Sequence, residues 1–197
     1  MATKIGSGFW ALAAGSLFAY FNAKSIEERK ARIERVNKQL KEFYGPLLAC
    51  ITASRTAWHA MVKQHSPDGT KDALGMAIAA DLNGPEARAY RVWMTEVLQP
   101  LNERAARVVT EHIDLLDSPG LEPMLLQLVA ATSAYRVTLK RWKDGDLTAS
   151  TGIKYPDKLA DAVSKEFARI KRRQLALLGA DSSGSWGWSG ASWRSKL

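Results

Sequence analysis

Histidine and cysteine are the side chains that most often bind metals or carry catalysis, and this chain has few of them. Its histidines are His59, His65 and His112, and Cys50 is its only cysteine. Protein zinc sites combine three or four such ligands, usually with two of them closely spaced in sequence. No histidine here has a second histidine or cysteine at that spacing. The sequence therefore predicts no metal and no cofactor, and we expect Cys50 to be a small buried apolar residue.

Paired carboxylates could act as a general acid and base, but the pairs in this chain have a simpler explanation. Asp114 with Asp117, and Asp144 with Asp146, fall at the predicted ends of helices and in turns, where acidic residues are common. The chain also has no glycine-rich phosphate loop. We therefore expect a protein that is not an enzyme and has no catalytic residue.

Two basic clusters are candidates for binding, in a chain with 28 basic and 20 acidic residues. Each cluster ends a predicted helix, where cations interact favourably with the helix dipole, and this is a sufficient structural reason for many of them. The clusters could also bind anionic lipid. Nucleic acid is a weaker hypothesis, because no nucleic-acid-binding motif and no interleaved stacking aromatics accompany them. The predicted basic surface comprises Arg136, Lys140, Arg141, Lys143, Arg169, Lys171, Arg172 and Arg173.

The amino-terminal segment is the most distinctive part of the chain. No charged side chain occurs from Ile5 to Ala23, and Lys4 and Lys24 flank this run. A membrane-spanning helix needs about 20 predominantly apolar residues, with a range of roughly 17 to 25. The pattern predicts a single transmembrane helix within residues 1–23. Two alternatives stay open, namely a cleaved or targeting segment and a helix buried in a soluble protein.

Small residues recur every four positions within this segment, so on a helix they share one narrow strip. Large apolar residues occupy the rest of the circumference. In lipid, a strip of small residues lets a second helix approach closely. We therefore expect a membrane and other membrane-protein subunits as partners. The predicted packing residues are Ser7, Ala11, Gly15, Ala19 and Ala23.

Residues 24–179 predict an all-α domain, a bundle of five to seven helices, because amphipathic runs follow one another without a hairpin pattern. Ser25 and Glu28 match a capping box, which predicts that a helix begins there. Gly45-Pro46 predicts a break followed by a new helix. Pro100 predicts a kink or a junction between two helices.

Core-facing stripes run along the predicted helices at spacings of three and four residues. The clearest stripe comprises Leu121, Leu125, Leu128, Thr132, Tyr135, Leu139 and Trp142, and the stripe that crosses Pro100 continues through Leu101, Ala105, Val108 and His112.

Four segments of the predicted bundle resemble a set of uncharacterised helical proteins of algae and other protists, and more loosely of bacteria. The segments are EFYGPLLACITASRTAWHAMVKQHSP from Glu42, LQPLNERAARVV from Leu98, LEPMLLQLVAATSAYRVTLKRW from Leu121 and YPDKLADAVSKEFARIKRRQLALLG from Tyr155. They span about residues 40–178 and leave out the apolar start and the tail. The resemblance implies a helical domain, and it implies no activity, cofactor or catalytic residue.

The last segment, residues 180–197, is rich in serine, glycine and tryptophan, which predicts a flexible tail. Three tryptophans, Trp186, Trp188 and Trp193, could contact a partner or a membrane interface. The sequence ends in Ser195-Lys196-Leu197, which is a peroxisomal import signal at a free carboxyl terminus. This signal makes the peroxisome an alternative location.

These features favour a non-enzymatic, membrane-anchored helical accessory or scaffold protein of an organellar membrane complex. A soluble peroxisomal protein imported through Ser-Lys-Leu is one alternative. A peripheral binder of anionic lipid or RNA is the other.

Overall fold

The computed structural model describes the backbone of residues 6–179 and the side chains of residues 20–179. This part of the chain is all-helical and contains no β-strand, which confirms the predicted all-α bundle. Its seven α-helices are α1 (Gly6–Lys38), α2 (Gly45–His65), α3 (Lys71–Ala80), α4 (Pro85–Trp93), α5 (Gln99–His112), α6 (Glu122–Lys143) and α7 (Leu159–Leu178).

The predicted transmembrane helix is not supported. Among the described residues, no helix is both long enough and apolar enough to cross a membrane. The glycines, serines and Asn22 that interrupt the apolar run lower its hydropathy, and charged residues follow from Lys24 onward. The prediction that a helix begins at Ser25 is also wrong, because α1 passes through this position without interruption.

Two compact units make up the described residues. The smaller unit contains residues 6–37 and 171–179, and the larger contains residues 38–170. The predicted tail, including its tryptophans and Ser195-Lys196-Leu197, lies outside the described residues.

The larger unit is organised around α5, which contacts α2 and α6 more extensively than any other helices. Apolar side chains from the three helices fill the space between them. Two buried polar contacts cross it: Ser54 Oγ lies 2.9 Å from Asn102 Oδ1, and Gln99 Nε2 donates to the backbone oxygen of Thr132 at 3.0 Å. Buried core residues of these helices include Leu47, Ile51, Ala105, Val109, Leu125 and Leu128.

A second core cluster lies where α2, α3 and α4 meet α6. Met61, Val62, Leu74, Met94 and Leu98 are buried there, and aromatic side chains surround them. The ring of Tyr90 makes edge-on contacts with Trp58 and Trp142, at centroid distances of 6.4 and 5.9 Å. The hydroxyl of Tyr90 lies 3.3 Å from that of Tyr135. Burial of Tyr90 raises the pKa of its phenol, so this polar group stays neutral inside the cluster.

π-helical turns join α1 to α2 at Gln39–Tyr44 and α4 to α5 at Met94–Leu98. Each turn is followed by a helix with proline as its second residue, Pro46 in α2 and Pro100 in α5. Proline lacks an N–H and its ring clashes with the carbonyl four residues earlier, whereas a π turn bonds to the carbonyl five residues earlier. The helix therefore continues past both prolines. A new α-helix begins at Gly45, as predicted, but a π turn rather than a break precedes it, and Pro100 likewise lies at the predicted junction of two helices.

Gly45 is required by the first π turn. Its N–H donates to Leu40 O, and a Cβ atom at this position would lie 2.6 Å from that oxygen. Gly75, in the middle of α3, is also helical, but a Cβ atom there would meet nothing within 4 Å.

We expect the substitutions G45A and G75A to have opposite effects on stability. G45A forces the backbone of the π turn to shift and should lower the free energy of unfolding by about 1–3 kcal/mol. G75A removes the entropic cost of a helical glycine and should raise it by about 0.5–1 kcal/mol. Urea denaturation followed by circular dichroism measures both. Equal stabilisation by the two substitutions would contradict the close contact at Gly45.

Candidate functional site

The smaller unit holds one part of α1 against the end of α7. Arg29 donates from Nε and Nη2 to the backbone oxygen of Leu177, at 3.2 and 2.9 Å. This carbonyl belongs to the last turn of α7, where no further helical N–H is available to it. Gln174 Nε2 donates to Asn37 Oδ1, and Val36 is buried. Arg29 and Asn37 therefore link this part of α1 to α7 through specific hydrogen bonds.

In the described part of α1, every side chain from residue 20 to residue 32 is exposed, including that of Arg29. Tyr20 and Phe21 are each 62% exposed and Ile26 is 48% exposed. The rings of Tyr20 and Phe21 contact each other, with centroids 5.7 Å apart. We call residues 6–28 the amino-terminal arm. Exposed apolar side chains that lie together commonly mark a surface for binding.

The predicted packing strip lies within the amino-terminal arm. Ser7, Ala11, Gly15, Ala19 and Ala23 all belong to α1. Ala23 is the member of the strip whose side chain is described, and it is exposed. The side chains of the other four residues lie outside the described part. The contact of the strip with another helix therefore stays a prediction.

Three arginines of the predicted basic surface are paired with carboxylates. These pairs were not predicted from the sequence. Arg136 Nε donates to Glu103 Oε1 at 3.0 Å, and Arg141 is bonded to Asp146. Arg169 donates to Glu166 Oε2 at 2.8 Å and lies 3.6 Å from Asp117. Pairing lowers the charge that these residues offer to an anionic partner.

The other residues of the predicted basic surface are exposed lysines and arginines. Lys140 and Lys143 lie near the end of α6, next to the paired Arg136 and Arg141. In α7, the three consecutive basic residues Lys171, Arg172 and Arg173 are exposed. The two predicted clusters are thus on separate helices, α6 and α7.

The histidines and the cysteine lie apart. His65 is the last residue of α2, and its Nε2 accepts a hydrogen bond from Trp93 Nε1 at 3.2 Å. His59 is exposed and His112 ends α5. Cys50 is buried, as predicted, and burial raises the pKa of its thiol. Within the described residues, no group of three or more histidine, cysteine or acidic side chains could hold a metal ion.

A polar network crosses from α5 to α6 beside the paired Arg136. Gln99 Nε2 donates to Glu103 Oε1 as well as to Thr132 O, both at 3.0 Å. This hydrogen bond, followed by the nearby guanidinium of Arg136, lowers the pKa of the Glu103 carboxyl group. Thr132 is 3% exposed, and its Oγ1 has no hydrogen-bond partner among the described residues.

Comparisons with protein-family models, with curated proteins and with solved structures found no match to this chain.

We expect the Glu103 network to stabilise the fold in a pH-dependent way. A carboxylate whose pKa is lowered by folding stabilises the protein above its unfolded pKa of about 4.3, and this contribution is lost as the pH falls through the folded value. The substitution E103Q should lower the free energy of unfolding at pH 7 by about 0.5–1 kcal/mol. The difference from the wild type should shrink as the pH falls below about 4.

Chemical denaturation at pH 7 and at pH 3 measures this effect. The matched control is E111Q, because Glu111 is exposed on the same helix. A loss of stability in E103Q that is the same at both pH values would show that the carboxylate charge is not its source.

Proposed function

We propose that this chain is a non-enzymatic helical accessory or scaffold protein that is attached to an organellar membrane complex through its amino-terminal arm. The larger unit provides the folded body, and the arm provides the attachment. The observation that carries the proposal is the exposure of Tyr20, Phe21 and Ile26 at the start of the described side chains.

The sequence of the arm supports this proposal. From Ile5 to Ala23 the chain has no charged side chain, and Phe9, Trp10, Leu12, Leu17 and Phe18 precede the exposed Tyr20 and Phe21. Burying each large side chain of this kind against lipid or protein is worth about 1.5–3 kcal/mol. An uncharged apolar helix that continues into a folded unit is therefore suited to attachment.

Attachment does not require the arm to cross the bilayer. Small residues along one strip would let the arm pack closely against a helix of a membrane protein, with its large residues in contact with lipid or with that partner. Basic residues near the end of the arm and just after it, such as Lys24, Arg29 and Lys30, would then lie near anionic headgroups.

The contacts of α1 with α7 support different roles for two parts of α1. Arg29 and Asn37 are hydrogen-bonded to residues near the end of α7, and the side chains of residues 20–28 are exposed. The arm can therefore be covered by a partner without breaking the contacts that fix the rest of α1.

Carbonate extraction of membranes tests the attachment. The full chain, with a tag at its amino terminus and a free carboxyl terminus, should remain in the membrane pellet. The double substitution L12R/L17R replaces two large apolar side chains of the arm with charged ones, and each replacement removes about 1.5–3 kcal/mol of burial against lipid or protein. We expect this variant to move to the supernatant.

The matched control is M76R/V92R, because Met76 and Val92 are exposed apolar residues of the larger unit, 68% and 60% exposed. This variant carries the same two charges and should stay in the pellet. Extraction of the wild-type chain into the supernatant would contradict membrane attachment. Release of both variants would show that added positive charge, at any position, is enough to release the protein from the membrane.

A further inference from the structure

A cleft between α5 and α6 is lined by charged and hydroxyl side chains from both helices. Its volume is about 240 Å³, below the roughly 300–1,000 Å³ of pockets that hold drug-sized ligands. Two arginines, one glutamate and three residues with hydroxyl groups line it, together with two apolar residues. The polar lining residues are Glu103, Arg107, Thr110, Thr132, Ser133 and Arg136.

From these groups we infer that the cleft binds a small oxyanion, either a phosphate or a carboxylate group. The two guanidinium groups of Arg107 and Arg136 exceed the single carboxylate of Glu103, so the cleft has a net charge of about +1. This charge favours an anion over a cation. Arginine is also the side chain whose planar donors match the oxygens of phosphates and carboxylates.

The helical spacing of the arginines places them on opposite walls. Glu103 and Arg107 are four residues apart on α5, and Thr132 and Arg136 are four residues apart on α6, so each pair shares one face of its helix. The bond from Arg136 Nε to Glu103 Oε1 positions the guanidinium at the cleft. The two Nη groups of Arg136 carry four further N–H donors, which are sufficient for a bidentate contact with an oxyanion.

Thr132 gives independent support for a ligand. Its side chain lines the cleft although the residue is 97% buried, and its Oγ1 has no partner among the described residues. A buried hydroxyl without a hydrogen bond costs about 1–3 kcal/mol. Rotation of the Thr132 side chain toward the cleft would let this enclosed hydroxyl donate to an oxyanion seated between Arg107 and Arg136 and remove the penalty.

Isothermal titration calorimetry of the full chain with inorganic phosphate and, separately, with succinate tests the site. Binding of either probe is expected, and which one binds more tightly identifies the phosphate or the carboxylate as the recognised group. R107Q and R136Q should each weaken this binding by about ten-fold or more, because each removes a charge-assisted contact. The matched control is R104Q, since Arg104 is exposed on α5 and does not line the cleft.

T132V separates binding from folding. In the absence of the probe, this variant should be at least as stable as the wild type, because it removes an unpartnered buried hydroxyl and keeps the shape of the side chain. It should nevertheless bind the probe more weakly and gain a smaller increase in Tm from it.

Three results would each overturn the inference. The first is no binding of either probe at millimolar concentration. The second is equal weakening by R104Q and R107Q, which would indicate a general effect of charge. The third is unchanged affinity in T132V. Because none of these measurements involves the amino-terminal arm, their failure would be distinct from a failure of the proposed membrane attachment.

Discussion

The position of α5 between α2 and α6 is the constraint on which the larger unit depends. Two buried polar contacts, between Ser54 and Asn102 and between Gln99 and Thr132 O, join α5 to its two neighbours. Apolar side chains alone tolerate several registers of packed helices, but a buried polar group that loses its partner costs about 1–3 kcal/mol. The register that satisfies both contacts also aligns the walls of the oxyanion cleft and brings Glu103 to Arg136.

The stripe along α6 was predictable because that helix keeps a regular period. Leu121, Leu125, Leu128 and Thr132 are buried, as the sequence predicts. The stripe predicted after Pro100 is only partly right. Ala105 is buried, but Asn102 and Val109 take the places expected for Leu101 and Val108. The π turn at Met94–Leu98 adds one residue to a helical turn, which accounts for the shift from Leu101 to Asn102, whereas Ala105 is buried where the regular period places it.

The candidate sites were harder to predict from the sequence than the stripe along α6, and each for its own reason. Arg136 was predicted as part of a basic surface, but its pairing with Glu103 depends on the register of two helices that are distant in sequence. Thr132 was assigned to a core-facing stripe, and nothing in the sequence indicates that its hydroxyl lacks a partner. The composition of the amino-terminal arm was visible at once, whereas the point at which α1 becomes fixed depends on Arg29 reaching the last turn of α7.

The π turn before α5 also couples the length of the chain to the direction in which side chains face. Each residue advances an α-helix by about 100°. Loss of any one residue from 94–98 would restore ordinary α-helical bonding only if α4 rotated by more than a quarter of a turn about its axis. Tyr90 and Trp93 would then leave the cluster that contains Trp58 and Trp142. The direction in which Tyr90 and Trp93 face therefore depends on the number of residues in the π turn, more than on the identities of the residues in that turn.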